Sequence, residues 1–108
     1  MNNFKIIYRI LKYIEENMDK EYVDYENISH EKLGISFIRW EKLLYEIQKE
    51  GYIEGLVYQQ TMSDSTYHVV LPIAPTITIK GMEYLESNSF MRKCADAMKR
   101  VKEIIPGV

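Results

Sequence analysis

Ile38, Lys42, Tyr45 and Lys49 follow one another at intervals of four, three and four residues, with Ser36 and Arg39 at the leading end. That spacing lines side chains along one side of an α-helix. The chemistry such a row offers is recognition. Lysine and arginine can bond guanine edges or phosphate oxygens, isoleucine can touch a thymine methyl, and serine or tyrosine hydroxyls can donate to phosphate. The row also has an ordinary reading as a solvated helix face, with Glu41 and Glu46 close enough to offset part of its positive field. A second group of polar donors, Gln59, Gln60, Ser63 and Ser65, gathers in "QQTMSDST".

Groups suited to covalent chemistry are few. His30 and His68 are the only histidines and Cys94 is the only cysteine. No cysteine or acidic residue stands at metal-ligand spacing around either histidine, so both read as structural side chains. Cys94 lies among apolar residues, the setting of a buried, inert thiol. Glu15, Glu16 and the tyrosines fit solvated faces and an aromatic core. There is no phosphate-cradling glycine loop, nucleophile elbow or metalloprotease motif. The expectation is a protein that is not an enzyme, with no catalytic residues, metal or cofactor.

The elements that would hold these residues follow from periodicity. "NNFKIIYRILKYIEENMD" places Phe4, Ile7, Tyr8, Leu11, Ile14 and Met18 on one helical stripe, with Asn3 as N-cap. Ile6, Ile10 and Tyr13 form a second apolar row, so this first helix should be covered on two sides. "DYENISHEKLG" predicts a short helix capped by Asp24 or Ser29, burying Ile28 and Leu33 and ending at Gly34. Ser36 caps a third helix to about Glu50, whose apolar face is Phe37, Trp40, Leu43, Leu44 and Ile47. "YIEGLVYQQ" and "TYHVVLPI" flank the polar turn "TMSDS" and predict a hairpin, broken on its second arm by "PIAP". "TITIKGMEYLESN" supplies an extended piece and a short helix capped by Thr78. The last helix, about 89–105, groups Phe90, Met91, Cys94, Ala95, Met98, Val101 and Ile105 opposite Arg92, Lys93, Lys99 and Arg100.

Three helices followed by a two-stranded wing predict an α+β, mainly helical fold: a winged helix-turn-helix with a β-hairpin wing and additional C-terminal helices. Residues 1–108 form a single winged-helix domain in this reading, since two domains would each be too small. A 46% hydrophobic content suffices for one core without disulfides or metal. The final helix would pack on the first helix or mediate a homodimer. The single cysteine suits a reducing compartment, and no apolar run reaches membrane-spanning length, so the expected location is the cytoplasm, away from membranes.

The formal net charge is −2. Residues 1–34 carry five Lys/Arg against seven Asp/Glu, residues 35–66 three against five, and residues 67–108 six against four. A domain that lives on a phosphate backbone usually shows a basic excess, and only the last third does. The wing has neither Lys nor Arg and contains Asp64, which also counts against DNA.

"FKIIYRILKYIE", "EKLGIS", "RWEKLL", "EGYIEG" and "ITIKGMEYLESNS", in this order and spacing, resemble the YjcQ-like proteins of Gram-positive bacteria and their phages. The likeness spans nearly the whole chain. It implies a winged-helix fold and supplies no catalytic residues. Leu33, Gly34, Ile35, Trp40, Gly51, Tyr52, Ile53, Gly55, Lys80, Gly81, Tyr84 and Leu85 carry it and read mostly as fold determinants.

The sequence thus supports a small winged-helix DNA-binding protein, a transcriptional regulator. Its third helix would enter the major groove of double-stranded DNA with Ser36, Ile38, Arg39, Lys42, Tyr45 and Lys49 forward. Gln60, Ser63 and Ser65 would come from the wing. The alternative is a protein-protein interaction module without DNA-binding activity, anchored on a protein partner by Phe37, Ile38 and Tyr45.

Overall fold

Asn2, not Asn3, opens the first helix. Its Oδ1 accepts the Lys5 N–H at 2.9 Å, and α1 runs over Asn3–Glu16. The computed structural model describes residues 2–60, 62–63 and 65–88. The expected final helix with Cys94 and its basic cluster lies outside the described residues, as do Thr61 and Asp64 in the hairpin tip.

Of the two apolar rows on α1, the core takes Ile6 and Ile10 together with Leu11 and Ile14. Phe4 and Met18, the ends of the stripe that periodicity favours, are 72% and 56% exposed. The two rows lie about 130° apart on the helix, and the core meets α1 along the margin they share. Packing draws on both, and the covering elements are the third helix, a 3-10 turn and the last strand.

Both candidate caps of the second helical segment are used, in succession. Asp24 Oδ1 accepts the Glu26 N–H at 3.1 Å and starts the 3-10 turn Tyr25–Ile28. Ser29 Oγ accepts the Lys32 N–H and starts α2, His30–Leu33. Ile28 and Leu33 are buried. Gly34 then adopts φ 70°, where a β-carbon would crowd the next peptide, and redirects the chain. Two residues later Ser36 Oγ accepts the Arg39 N–H at 3.1 Å and caps α3, Phe37–Lys49. Trp40 Nε1 donates to the Ile28 carbonyl at 2.8 Å, so the indole satisfies its one polar atom inside the core.

The hairpin is long and interrupted. β2 (Tyr58–Gln60) pairs antiparallel with β3 (Tyr67–Val69), Tyr58 opposite Val69. β1 (Ile53–Glu54) pairs antiparallel with β4 (Thr76–Ile77), Ile53 opposite Ile77. Between these ladders the outgoing arm spends residues 55–57 and the returning arm residues 70–75, which pass through the cis Leu71–Pro72 peptide. After the Val70 N–H bond to the Val57 carbonyl, strand pairing stops at that mismatch, and side chains take over part of the backbone there. Leu56 N–H donates to Gln48 Oε1 at 2.8 Å while Gln48 Nε2 donates to the Leu56 carbonyl at 3.1 Å. Tyr25 Oη donates to the Pro75 carbonyl.

Thr78 caps a further helix, α4, over 79–88, its Oγ1 accepting the Gly81 N–H at 3.0 Å. The described chain is therefore α+β, with four helices and two small antiparallel sheets. Its core runs from α1 and α3 through Ile53, Ile73 and Ile77 to Leu85. Among the described residues no helix is long and apolar enough to cross a membrane.

Candidate nucleic-acid interface

α3 buries Trp40, Glu41, Leu44 and Ile47. Ser36, Ile38, Arg39, Lys42, Tyr45 and Lys49 are all exposed, on the side turned from the core. Ile38 is 66% and Tyr45 47% exposed. Among the described residues Arg39, Lys42 and Lys49 have no carboxylate partner.

The structure corrects the expectation for Glu41. Its side chain is turned away from the cationic row and into the hairpin, with the residue only 8% exposed. Oε2 accepts the Val69 N–H at 2.9 Å, and Oε1 lies 3.0 Å from His68 Nδ1. The Glu41 carbonyl also accepts from Tyr58 Oη at 3.2 Å. One residue of α3 thereby holds both arms of the hairpin. Glu46 stays exposed beside the row and is the acid that still faces solvent within α3.

Glu41, Tyr45 and Gln48 stand at i, i+4 and i+7, on one flank of α3. All three contact the hairpin, Tyr45 by an edge-to-face packing on Tyr58 with ring centroids 5.5 Å apart. The hairpin is thus fixed alongside the exposed row. Sequence reasoning missed Glu41 and Gln48. Their signal was a polar pair seven residues apart at the margin of an apolar stripe.

At the hairpin tip Ser63 and Ser65 are exposed. Gln60 is exposed too, but its Nε2 donates to the Ser65 carbonyl, so this amide shapes the turn as well as facing outward. Gln59 is exposed. Of the three wing residues of the expected site, Gln60 and Ser65 are thus in contact. His30 packs between Phe37 and Trp40, with ring centroids at 5.5 and 6.1 Å, and its Nδ1 lies 3.3 Å from the Ile35 carbonyl. Phe37 is correspondingly only 36% exposed, which leaves it a weaker anchor than Ile38. Among the described residues no three His, Cys, Asp or Glu side chains converge as a metal site would require.

Burial raises the Tyr58 phenol well above its usual range, and the Glu41 carboxylate and Tyr45 push it further. A raised acid pKa means that the folded protein favours the neutral phenol. The resulting stability is complete below the unfolded value of about 10 and is lost as pH rises through the folded value. Tyr58→Phe removes that dependence along with the hydrogen bond to Glu41. At neutral pH the variant should be less stable by about 1 kcal/mol, and the gap should close as pH climbs above about 10. Melting curves at stepped alkaline pH check this; parallel curves would refute it.

Between the amino ends of α1 and α3 lies an open hollow of about 400 Å³, lined by Asn3, Ser36, Ile38, Arg39, Lys42 and Leu43. Among the described residues no carboxylate lines it.

With the geometry defined, comparison with known proteins places the chain. The family model described as YjcQ protein matches residues 8–104. The chain belongs to the YjcQ family. A relative from Bacillus subtilis (strain 168), described as Uncharacterized protein YjcQ, is 30% identical over 105 residues, covering 97% of this chain and 99% of that protein. No solved structure matches the chain. Several residues that carry the family resemblance, Leu33, Trp40, Ile53, Gly81 and Leu85, are buried, as fold determinants should be.

Proposed function

We propose that this member of the YjcQ family is a winged helix-turn-helix protein that binds double-stranded DNA and acts as a cytoplasmic transcriptional regulator. In this reading α2, the Gly34 turn and α3 are the helix-turn-helix and the interrupted hairpin is the wing. α3 enters the major groove with Ser36, Ile38, Arg39, Lys42, Tyr45 and Lys49 forward, and Gln60, Ser63 and Ser65 approach the flanking backbone.

One observation carries the reading. The acid in the middle of α3 is withdrawn into the hairpin, so the exposed row keeps three cations that have no carboxylate partner among the described residues. A negative net charge weakens non-specific attraction, while local phosphate neutralisation depends on the few cations that reach the duplex.

Selection of bound duplexes from a random library at near-physiological salt tests the proposal. An enriched motif is expected, and two half-sites about one helical turn apart would identify a homodimer. The exposed apolar residues of α1 and the segment 89–105 are the regions to probe for such pairing. On a selected duplex, Lys42→Ala and Lys49→Ala should each weaken binding and flatten the log K against log salt slope by about 0.9. Unchanged affinity in both variants would sink the assignment of α3.

A second reading, a protein-interaction module, is favoured by the exposure of Ile38 and Tyr45 on one face. It predicts a complex that Tyr45→Ala abolishes and that added salt leaves largely intact.

A further inference from the structure

Because Asn2 supplies the cap of α1, the Asn3 side chain is not engaged in capping. It lines the hollow together with Arg39 and Lys42, and among the described residues none of these three side chains has a hydrogen-bond or ion-pair partner. Ser36 adds a hydroxyl, and Leu43 and Ile38 complete the lining. The lining thus includes two cations, a primary amide and a hydroxyl and, among the described residues, no acid.

That set of donors fits an oxyanion with several acceptor oxygens. Arginine offers a planar fork, lysine a point charge and asparagine two N–H donors. The shape narrows the ligand further. Pockets for small molecules enclose most of their ligand's surface, whereas this hollow lies open to solvent between two helix ends. An open trough beside an exposed cationic row suits a passing stretch of polymer.

We infer that the hollow seats a backbone phosphate of the duplex read by α3, making α1 a second DNA-contacting element. This rests on the reading of α3 as a DNA-binding helix. Arg39 and Lys42 then act at the strand flanking the groove, and Asn3 donates to the same phosphodiester from the other side. The seat lies at the opposite edge of α3 from the hairpin. It supplies cationic phosphate contacts, which the described wing residues, having no Lys or Arg, cannot.

The decisive variant is Asn3→Asp. Asn3 is in the first turn of α1, which contains no acid, and a carboxylate there is favoured by the helix dipole. The variant should therefore melt at the same temperature as the parent or higher. Its binding to a fluorescein-labelled duplex from the selected pool should nevertheless weaken about tenfold, with a log K against log salt slope shallower by about 0.9. A folding defect cannot produce those opposite signs. Single neutral methylphosphonate substitutions in the duplex should find one flanking position that weakens the parent and has no further effect on the variant.

If Asn3→Asp binds the duplex with parental affinity and slope while Lys42→Ala does not, the seat is overturned and the reading of α3 stands. If the parent enriches no duplex, both fall. Saturable stabilisation by inorganic phosphate, lost in Asn3→Asp while duplex binding is kept, would assign the hollow to a free phosphate and overturn the inference.

Discussion

Gly81→Ala is expected to lower the melting temperature by more than about 12 °C, following a loss of about 3 kcal/mol. Gly81 lies in the first turn of α4, pressed against the start of the hairpin. A β-carbon there would overlap the Tyr52 carbonyl oxygen and come within 2.7 Å of Ile77 Cγ1. The first obstacle is backbone, so no rotamer change relieves it. The Tyr52 carbonyl also accepts the Thr78 N–H at 3.1 Å, and Thr78 caps α4 through the Gly81 N–H. Moving α4 away to admit a methyl group would stretch both bonds and part Leu85 from the core. Overpacking usually costs 1–3 kcal/mol, and a rigid obstacle lies at the upper end. Thermal unfolding by circular dichroism measures the shift. A loss below about 1 kcal/mol would show that α4 can shift without disturbing the core.

How much of this architecture was legible depended on the range of the interactions involved. Ser36, Thr78 and Gly34 could be placed from sequence because capping and left-handed termination are settled within three or four residues. The extended arms after Gly51 were legible from their β-branched and aromatic content. The returning arm's three surplus residues were not, because register depends on what the opposite arm and α3 offer. Both apolar rows of α1 were legible and both contribute to the core, but which of their residues stay exposed, Phe4 and Met18, depended on where α3 and β4 end rather than on α1. Gln60 was seen as an outward donor because the Ser65 carbonyl it holds appears only once the turn is folded. In the exposed row the periodicity of α3 sufficed to find every residue, since a side turned from the core needs no distant partner to define it. Glu41 needed one. Its acceptor oxygens meet a strand 28 residues away.

Glu41→Ala should reveal that distant contact through two measurements that move together. As a surface acid beside Lys42, Glu41 would repel a phosphate backbone, and its removal would tighten DNA binding. As the buried clamp of the hairpin, it does the reverse. Its loss leaves the Val69 N–H without an acceptor in a nearly dry site and removes the contact with His68. Hydrogen bonds to charged groups contribute about 1.5–3 kcal/mol and an orphaned donor adds a penalty of similar kind, so a loss of about 2–3 kcal/mol is expected. The melting temperature should fall by roughly 10–20 °C. Hydrogen exchange at Val69 should accelerate more than at Trp40, whose environment on the far side of α3 is intact. Binding to a selected duplex should weaken, because Tyr58 and β3 no longer hold the hairpin beside the exposed row. Glu41→Gln separates charge from geometry. The amide oxygen can still accept from Val69, so its stability should lie between alanine and the parent while the negative charge is gone. If Glu41→Gln binds DNA more tightly than the parent, the carboxylate acts on the exposed row through space. If it binds equally or less tightly, the clamp outweighs the charge, as the inward orientation of Glu41 requires.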